Sequence, residues 1–495
     1  MTALPTRLRV GIDTRLAPCA PEVLYTLRTL CELAGYARDV VWLDAASSGA
    51  AAGAGPRLDL YYGPEPEASG ARVAIRWAGR DLREARDFDV TAHVEHEGAP
   101  YVGFGGEPAL PPQRAGDALV FASDLAFAAF WWLTGAREHT YSRDRWFNIS
   151  LRGSYLVSQR LIERPVISLW AQRIREHLEA AGALAMRPDF AQAGGSALTL
   201  SHDVDYPEIV RWVELLRAPL AGARGLRALR HMASARAFWR FAEWADFAET
   251  LGGARSCFYF MARQGSLLKY LRGDPDAFYD VRAPHFRAVI AELRARGCEI
   301  GLHASFNSPV ETARLAAEKA RIEEVAGAPI AGNRSHYWRL DPTLPHETLA
   351  ALERAGFLYD TTLGYEFYPG FRRGVCHPYF PWHPAERRQL GILEFAPTWM
   401  DNQYDGRLPE NGIADPIAHA QHLLAQIAQT GGVAVIDYHV RGMSPAFPWG
   451  AWLRSWLPEA RPRTMRGDTP ERVARSQRAH AARLASESRE ILPAS

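Results

Sequence analysis

An alternation of strand and helix patterns in the second part of the chain restricts its fold more than any other feature. Apolar runs typical of strands occupy residues 198–200, 257–261, 298–302, 357–359 and 433–436. Helical patterns lie between them, at residues 207–251, 284–296, 311–325, 343–355 and from 416 onward. Residues 284–296 carry their apolar side chains on one face and end at Gly297. Such an alternation predicts parallel strands in a barrel or an open sheet.

The first of these strand patterns ends in a charged tip. After the strand formers at 198–200, the run stops at Asp203 and Asp205. Residues two apart on a strand point to the same face, so the two carboxylates project together from its carboxyl end. Two adjacent carboxylates repel each other, and one pKa rises unless a cation intervenes. The pair therefore predicts a metal ion, a base or both; the alternative is a strand end with solvated aspartates.

Polar side chains of catalytic type follow the other strand patterns as well. Each has an ordinary alternative, because a lone His is often a core or loop residue, an Arg can pair with a surface acid, and an Asp can belong to a turn. In folds of parallel strands, however, the chemistry lies at the carboxyl ends of the strands. We therefore expect these side chains to converge. They are His303, Arg334, His336, Asp360 and His439.

The region from about Ala197 to Met443 resembles the polysaccharide deacetylase family, the NodB-type domain of carbohydrate esterase family 4. The first motif of that family ends in two close aspartates, and Leu200-Ser-His-Asp-Val-Asp205 is similar to its Asp-x-Asp variant. The resemblance implies that Asp203 is the catalytic base and Asp205 a metal ligand. It also implies a distorted (β/α) barrel, an α/β fold, and hydrolysis of an N-acetyl or similar N-acyl group on a sugar.

Four later motifs of the family have counterparts in this chain. Glu299-Ile-Gly-Leu-His303 resembles the motif that begins with a metal-binding His. Asn333-Arg334 resembles the motif whose Arg holds the base, and Tyr359-Asp360 the motif with an Asp after a strand. Ile436-Asp-Tyr-His439 resembles the last motif, which has a His on a strand end, and we expect His439 to donate a proton to the leaving amine. The resemblance thus adds Arg334, Asp360 and His439 to the catalytic residues and His303 to the metal ligands.

One position departs from the family pattern. The family usually supplies a second His four residues after the first, and this chain has Asn307 there. Either the metal, Zn²⁺ or a similar divalent ion, has a third ligand from elsewhere, or the metal has been lost. The candidates for that ligand are the amide oxygen of Asn307, His336 and Asp401.

Aromatic and basic residues near these motifs are candidates for substrate binding. Trp338 and Tyr365 could stack on a sugar ring together with Tyr379 and Trp382, and His336 could also contact substrate; packing in the core is the alternative for each aromatic residue. Arg372, beside Arg373 in a Gly-rich turn, could face an anionic substrate group; a solvated basic turn is the alternative.

The first part of the chain, residues 1–190, predicts a smaller α/β domain without a catalytic constellation. Residues 124–131 and Arg164-Pro-Val resemble an uncharacterised domain that precedes deacetylase domains in a bacterial branch of the family. The charged stretch 137–145 predicts an ion-paired or solvated connection. Ala191-Gln-Ala-Gly-Gly-Ser196 is a linker pattern. We place the barrel at 197–460 and a helical tail at 461–495.

Composition excludes several classes of protein. Lys plus Arg is 57 and Asp plus Glu is 56, so the net charge of +1 argues against binding to nucleic acid or an anionic membrane. The sequence contains no stretch of about 18 apolar residues and therefore predicts no membrane span. The five cysteines are scattered, which fits neither a disulfide framework nor a Cys-based zinc site and favours a reduced, cytoplasmic setting. The oligomeric state stays open.

These features predict a metal-dependent deacetylase-type hydrolase acting on a carbohydrate or an N-acylated small molecule. Two alternatives remain at this stage. The first is a catalytically inactive carbohydrate-binding protein that kept the fold and lost the metal, which Asn307 would explain. The second is an amide hydrolase of a small soluble metabolite, because the N-terminus shows no signal-peptide pattern.

Overall fold

Two separate sheets organise the chain in the computed structural model, which describes residues 7–44, 57–208, 236–404, 413–447 and 449–493. The first sheet has six strands in the order β2-β1-β3-β4-β8-β7, and all of its pairs are parallel except β7–β8. Strands β5 and β6 form a hairpin beside it. The strands are β1 Arg7–Asp13, β2 Ala37–Leu43, β3 Leu60–Gly63, β4 Val73–Arg76, β5 Val90–His96, β6 Ala99–Phe104, β7 Gln113–Ala115 and β8 Ala118–Phe121.

Helices pack against the first sheet and against the hairpin β5–β6 beside it. They are Ala20–Ala34, Leu125–Thr134, Tyr155–Ser158 and Val166–Ala180. The apolar helix Leu125–Thr134 is defined by its caps: the Asp124 carboxylate accepts the Phe127 N–H at its start, and Gly135 at φ +62° ends it. Every residue from Leu125 to Leu133 is buried, which agrees with a sequence that is apolar on all sides.

The second sheet is parallel throughout and curls into an incomplete barrel. Its path is β16-β13-β12-β11-β10-β9-β18-β17, with β19 added alongside β9. Its strands are β9 Ser196–Val204, β10 Cys257–Phe260, β11 Glu299–Ala304, β12 Gly332–Ser335, β13 Tyr359–Asp360, β16 Leu393–Glu394, β17 Trp399–Met400, β18 Val433–Asp437 and β19 Met465–Gly467. Strands β14 Trp382–His383 and β15 Arg388–Gln389 form a small hairpin. The architecture confirms the predicted α/β class with a distorted barrel.

Helices connect the strands of the second sheet, and a last helix follows its final strand, β19. They are Phe241–Thr250, Leu267–Leu271, Pro284–Ala295, Ala313–Ala326, Pro345–Arg354, Pro416–Thr430, Trp449–Ala460 and Pro470–Glu487. Three of them, Pro284–Ala295, Ala313–Ala326 and Pro345–Arg354, lie within two residues of the predicted helices at each end, and Pro416–Thr430 begins at the predicted residue. Of the helical region predicted at 207–251, residues 209–235 lie outside the described residues, and Phe241–Thr250 is a helix. Among the described helices, none is long and apolar enough to cross a membrane.

Two segments tie the two sheets together. Tyr365, Tyr368, Val375, Tyr379 and Trp382 follow the second sheet's strand β13 along the chain, yet they belong to the hydrophobic core of the first sheet. After the helix Pro470–Glu487, the chain returns to the edge of the first sheet, where Arg489 pairs with β2. The division into residues 1–190, 197–460 and 461–495 stays a prediction.

Candidate active site

Two carboxylates project from the carboxyl end of β9, the strand between β10 and β18. Asp203 is the penultimate residue of β9, Asp205 follows the strand, and both are buried. Strand alternation turns His202 to the opposite face, where its Nδ1 lies 2.8 Å from the carbonyl oxygen of Tyr438. Burial lowers the pKa of His202 to about 3, so this ring is a neutral core residue outside the carboxylate cluster.

Strand register brings further polar side chains to the same end of the sheet. His303 on β11 lies opposite Arg334 on β12. Asp437 on β18 pairs with Ser201 on β9. His439 and Asp203 each lie two positions further along the chain, so they are at the same level at the carboxyl end of the sheet. The structure therefore brings together five residues that the sequence predicts to converge: Asp203, Asp205, His303, Arg334 and His439.

Three imidazole rings surround the Asp205 carboxylate. Its Oδ1 lies 3.1 Å from His303 Nε2 and 3.8 Å from His336 Nε2. Its Oδ2 lies 3.0 Å from His439 Nε2. Asp205, His303 and His336 each offer one ligand atom, and these three atoms lie within 4.8 Å of one another.

Each of the three rings is anchored through its other nitrogen, Nδ1, to an oxygen acceptor. For His303, His336 and His439 in turn, the acceptors are the carbonyl oxygen of Arg334 at 2.9 Å, Asp276 Oδ1 at 3.3 Å and Asp401 Oδ2 at 3.0 Å. A neutral ring that donates from Nδ1 offers only a lone pair at Nε2. Lone pairs that face a carboxylate are stable only when they share a cation, either a proton or a metal ion.

The donor set of Asp205, His303 and His336 therefore fits a divalent metal ion such as Zn²⁺. Local electrostatics point the same way. Burial lowers the pKa of His303, but the carboxylates of Asp203 and Asp205 outweigh burial and raise it to about 9. Burial raises the pKa of Asp205, yet the neighbouring rings of His439 and His336 hold it well below its usual value. The cluster thus favours positive charge at its centre.

Arg334 holds the second carboxylate, Asp203. The guanidinium is fully buried, and its Nη1 lies 3.1 Å from Asp203 Oδ1 and 2.8 Å from Asp437 Oδ1. Its Nε and Nη2 donate to Thr361, and its plane lies over the Tyr259 ring. Burial raises the pKa of Asp203, but the charges of His303 and Arg334 outweigh it and keep this pKa below the usual value.

Two of the residues predicted for the site have other partners. Asn307 Oδ1, the amide oxygen that could serve as a metal ligand, accepts a hydrogen bond from Arg339 Nη1 at 2.9 Å. Asp360 is buried beside Glu394, and its Oδ1 accepts hydrogen bonds from Asn333 Nδ2 at 2.7 Å and from the Thr362 hydroxyl at 2.9 Å. Burial raises the pKa of Asp360. Their predicted roles as ligand and catalytic residue stay predictions.

The predicted substrate-binding residues are also buried. The Trp338 ring packs against Gly364, where a Cβ would come within 2.3 Å of the ring. Tyr365 has the Arg372 guanidinium 5.6 Å from its ring centroid. Arg372 itself donates from Nε and Nη2 to the Glu138 carboxylate at 2.8 Å each, so an acid of the first region (residues 1–190), rather than solvent, neutralises its charge.

Sequence reasoning missed several residues that shape this site. Asp437 and Asp276 were given no role, and Asp401 appeared only as a candidate metal ligand, although it accepts both the N–H and the Nδ1 proton of His439. The first region also contributes: Trp146 stacks on Tyr337, with centroids 5.0 Å apart, directly beside His336. The clustered charges at 137–145 were the only sequence signal near Trp146.

No protein-family model and no curated protein matches the sequence significantly. Solved structures that are similar include proposed polysaccharide deacetylases from Mycobacterium smegmatis (19% identity, TM-score 0.37, 59% of this chain and 93% of that chain) and Pseudomonas aeruginosa PAO1 (14%, 0.37, 60% and 95%). A third is the catalytic domain of a peptidoglycan N-acetylglucosamine deacetylase from Eubacterium rectale (11%, 0.26, 56% and 90%). At these identities, the roles of residues in those structures do not transfer to this chain. The likeness of residues 1–190 to an uncharacterised domain stays a prediction.

Proposed function

We propose that this chain is a metal-dependent hydrolase that removes an N-acyl group, such as acetyl, from an amino sugar or a related metabolite. One observation carries the proposal. A buried carboxylate, Asp205, is faced by the Nε2 atoms of anchored histidines, and a second carboxylate, Asp203, is held next to it by a buried arginine. Amide hydrolysis by a metal-assisted route needs such a cation site, a base and an acid within one pocket.

Asp205, His303 and His336 would hold the metal ion. When bound, a divalent cation supplies a Lewis acid that polarises an acyl oxygen and lowers the pKa of a water molecule. The Nδ1 contacts of both rings fix their tautomer, so that Nε2 is directed at Asp205 in each case. His336 provides the second imidazole, which supports an active site despite Asn307.

Asp203 is suited to act as the base. Arg334 engages its Oδ1, while its Oδ2 lies 3.8 Å from His303 Nε2 and so faces the ligand cluster. The lowered pKa keeps the carboxylate ionised and ready to accept a proton from an attacking water. Arg334 thereby orients the base without touching the reacting atoms.

His439 is suited to act as the acid. Burial lowers its pKa, but Asp401 and Asp205 outweigh burial and raise it well above the usual value. These two carboxylates favour the protonated ring, which is the form that can donate a proton to the leaving amine. Asp401 fixes the ring from its Nδ1 side, so Nε2 is the atom that meets the substrate.

The decisive experiment compares Asp203→Asn with Asp246→Asn, a control at an exposed carboxylate on the helix Phe241–Thr250. Acetate release from N-acetylated amino sugars is measured with added Zn²⁺ and with chelator. Loss of a general base lowers turnover on the order of 10²- to 10⁴-fold, so D203N should lose activity while D246N keeps it. Equal turnover in D203N and the native chain, or turnover that is insensitive to chelator, would refute the mechanism.

The cytoplasmic location stays a prediction.

A further inference from the structure

Arg441 faces the ligand cluster, yet it has no hydrogen-bond acceptor among the described residues. It lies two positions after His439, in the short turn Val440–Met443. Its Nη1 is buried without a hydrogen-bond partner and lies 3.8 Å from Asp205 Oδ2, which is too long for a hydrogen bond. Only 17% of the side chain is exposed. A guanidinium is a cation with five N–H donors and no acceptor.

Aromatic rings hold the Arg441 guanidinium in place. The carbon at its centre lies 5.7 Å from the Tyr206 ring centroid, 5.5 Å from that of Phe447 and 5.8 Å from that of Trp449. Ring faces attract a cation electrostatically, but they do not replace the hydrogen-bond acceptors that its N–H groups require. The side chain is therefore fixed while its buried Nη1 lacks an acceptor in the described part of the chain, an arrangement that is costly unless a ligand supplies an oxygen atom.

The other arginines around the site are differently placed. Arg334 is engaged by two carboxylates and by Thr361. Arg372 and Arg373 both donate to Glu138. Arg441 is thus the guanidinium next to Asp205 whose donors are not used by the described part of the chain.

We infer that Arg441 binds an anionic group of the substrate, a carboxylate or a phosphate, close to the amide that is cleaved. The inference rests on the proposed function and narrows its substrate class to N-acylated molecules that carry a negative charge. A planar guanidinium pairs with either group through two parallel hydrogen bonds. Because Arg441 lies beside Asp205 and not at a remote surface, the charge is recognised within the reaction pocket.

Three sugars test the inference because they share one N-acetyl group and differ in charge: N-acetylglucosamine, N-acetylmuramic acid with its carboxylate, and N-acetylglucosamine 6-phosphate. The kcat and KM of each are measured for the native chain and for Arg441→Met and Arg441→Lys, with Arg454→Met at an exposed position as the control. We expect the native chain to favour at least one charged sugar over the neutral one. Which of the two charged sugars is favoured shows whether the site prefers a carboxylate or a phosphate.

In R441M, kcat/KM for the favoured charged sugar should fall on the order of 10- to 100-fold, mainly through KM, since a hydrogen-bonded charge pair is lost. The neutral sugar should be nearly unaffected, and R441K should recover part of the loss because it keeps the charge. An equal loss on charged and neutral sugars would overturn the inference, because Arg441 would then act on the reacting acyl group itself. So would a native chain that does not favour either charged sugar.

If no sugar is hydrolysed, the proposed function fails, and calorimetric binding of the two charged sugars decides the inference separately. Binding to the native chain that is lost in R441M and kept in R454M supports an anion site at Arg441. The absence of binding to the native chain, or equal binding to R441M, overturns it.

Discussion

The proposed metal site depends on His336, which lies on the turn after β12, with its ring centroid 5.1 Å from that of His303 near the end of β11. The strand-end pattern placed both residues in one neighbourhood, but it could not decide among His336, Asn307 and Asp401 as the third ligand. The structure separates them by their partners. Asn307 is engaged by Arg339, Asp401 by His439, and His336 presents Nε2 towards Asp205.

This difference gives a prediction for metal binding. His336→Ala should weaken binding of Zn²⁺ by more than about 100-fold, since it removes a ligand, and loss of even an outer-shell partner costs 10- to 100-fold. Asn307→Ala is the matched control and should bind Zn²⁺ as the native chain does. Zn²⁺ affinity is measured by competition with a coloured chelator, and bound metal per chain by elemental analysis. Loss of the metal in N307A together with its retention in H336A would assign the ligand to Asn307 instead.

Some residues of the site could be predicted from the sequence and others could not. The difference lies in how each residue is brought to the site. Asp203, His303 and His439 follow apolar strand runs, and parallel strands end at one edge, so their convergence could be predicted. Asp437 could not be given a role, because its meaning comes from Arg334, a partner on another strand. Asp276 lies in a loop without periodicity, and only the folded chain brings it to His336.

At the scale of helices and strands, predictions succeeded where periodicity was long enough to read. The helix Pro284–Ala295 was predicted at 284–296, because its apolar residues repeat over three turns. Strands β13, β16 and β17 have two residues each, which is too short for any alternation to show. The burial of Tyr365, Tyr379 and Trp382 in the core of the first sheet could not be read from the sequence either, because contacts between distant segments leave no local pattern.

The end of the chain is an element with a structural role that can be tested. Arg489 bonds with Arg38 and Val40 along β2, and the Glu490 carboxylate pairs with Arg28 and Arg38. The Arg38 side chain is only 4% exposed. Removing Glu490 would therefore leave a buried charge with weaker compensation and expose a strand edge.

We expect truncation after Glu487 to lower the free energy of unfolding by about 3 kcal/mol, the lower end of the cost of breaking a buried ion pair. Urea unfolding followed by tryptophan fluorescence measures the change. Truncation after Leu492 keeps these contacts and serves as the control. If truncation after Glu487 leaves the urea midpoint of unfolding unchanged, the terminal segment does not stabilise the first sheet.

At the scale of the whole molecule, the carboxylate of Glu138 is one of the contacts that link the two regions. Glu138 follows the first sheet along the chain, and both Arg372 and Arg373, which come after β13 of the second sheet, donate to it. All three side chains are buried. Burial raises the pKa of Glu138, but the two guanidinium groups outweigh burial and lower it from 4.5 to about 2. The ionised form of Glu138 is therefore more stable in the folded state than in the unfolded state.

Linkage makes this contribution depend on pH. Because the folded pKa lies below the unfolded value, the stabilisation is complete above pH 4.5 and is lost as the pH falls towards 2. The shift corresponds to about 3 kcal/mol. Glu138→Gln should therefore lower the free energy of unfolding by at least this amount at about pH 7, and by less as the pH falls below 4.5. Urea titrations at several pH values, with the exposed Glu67→Gln as control, measure the difference. A deficit in E138Q that stays constant across this range would show that shape, not charge, accounts for the role of Glu138.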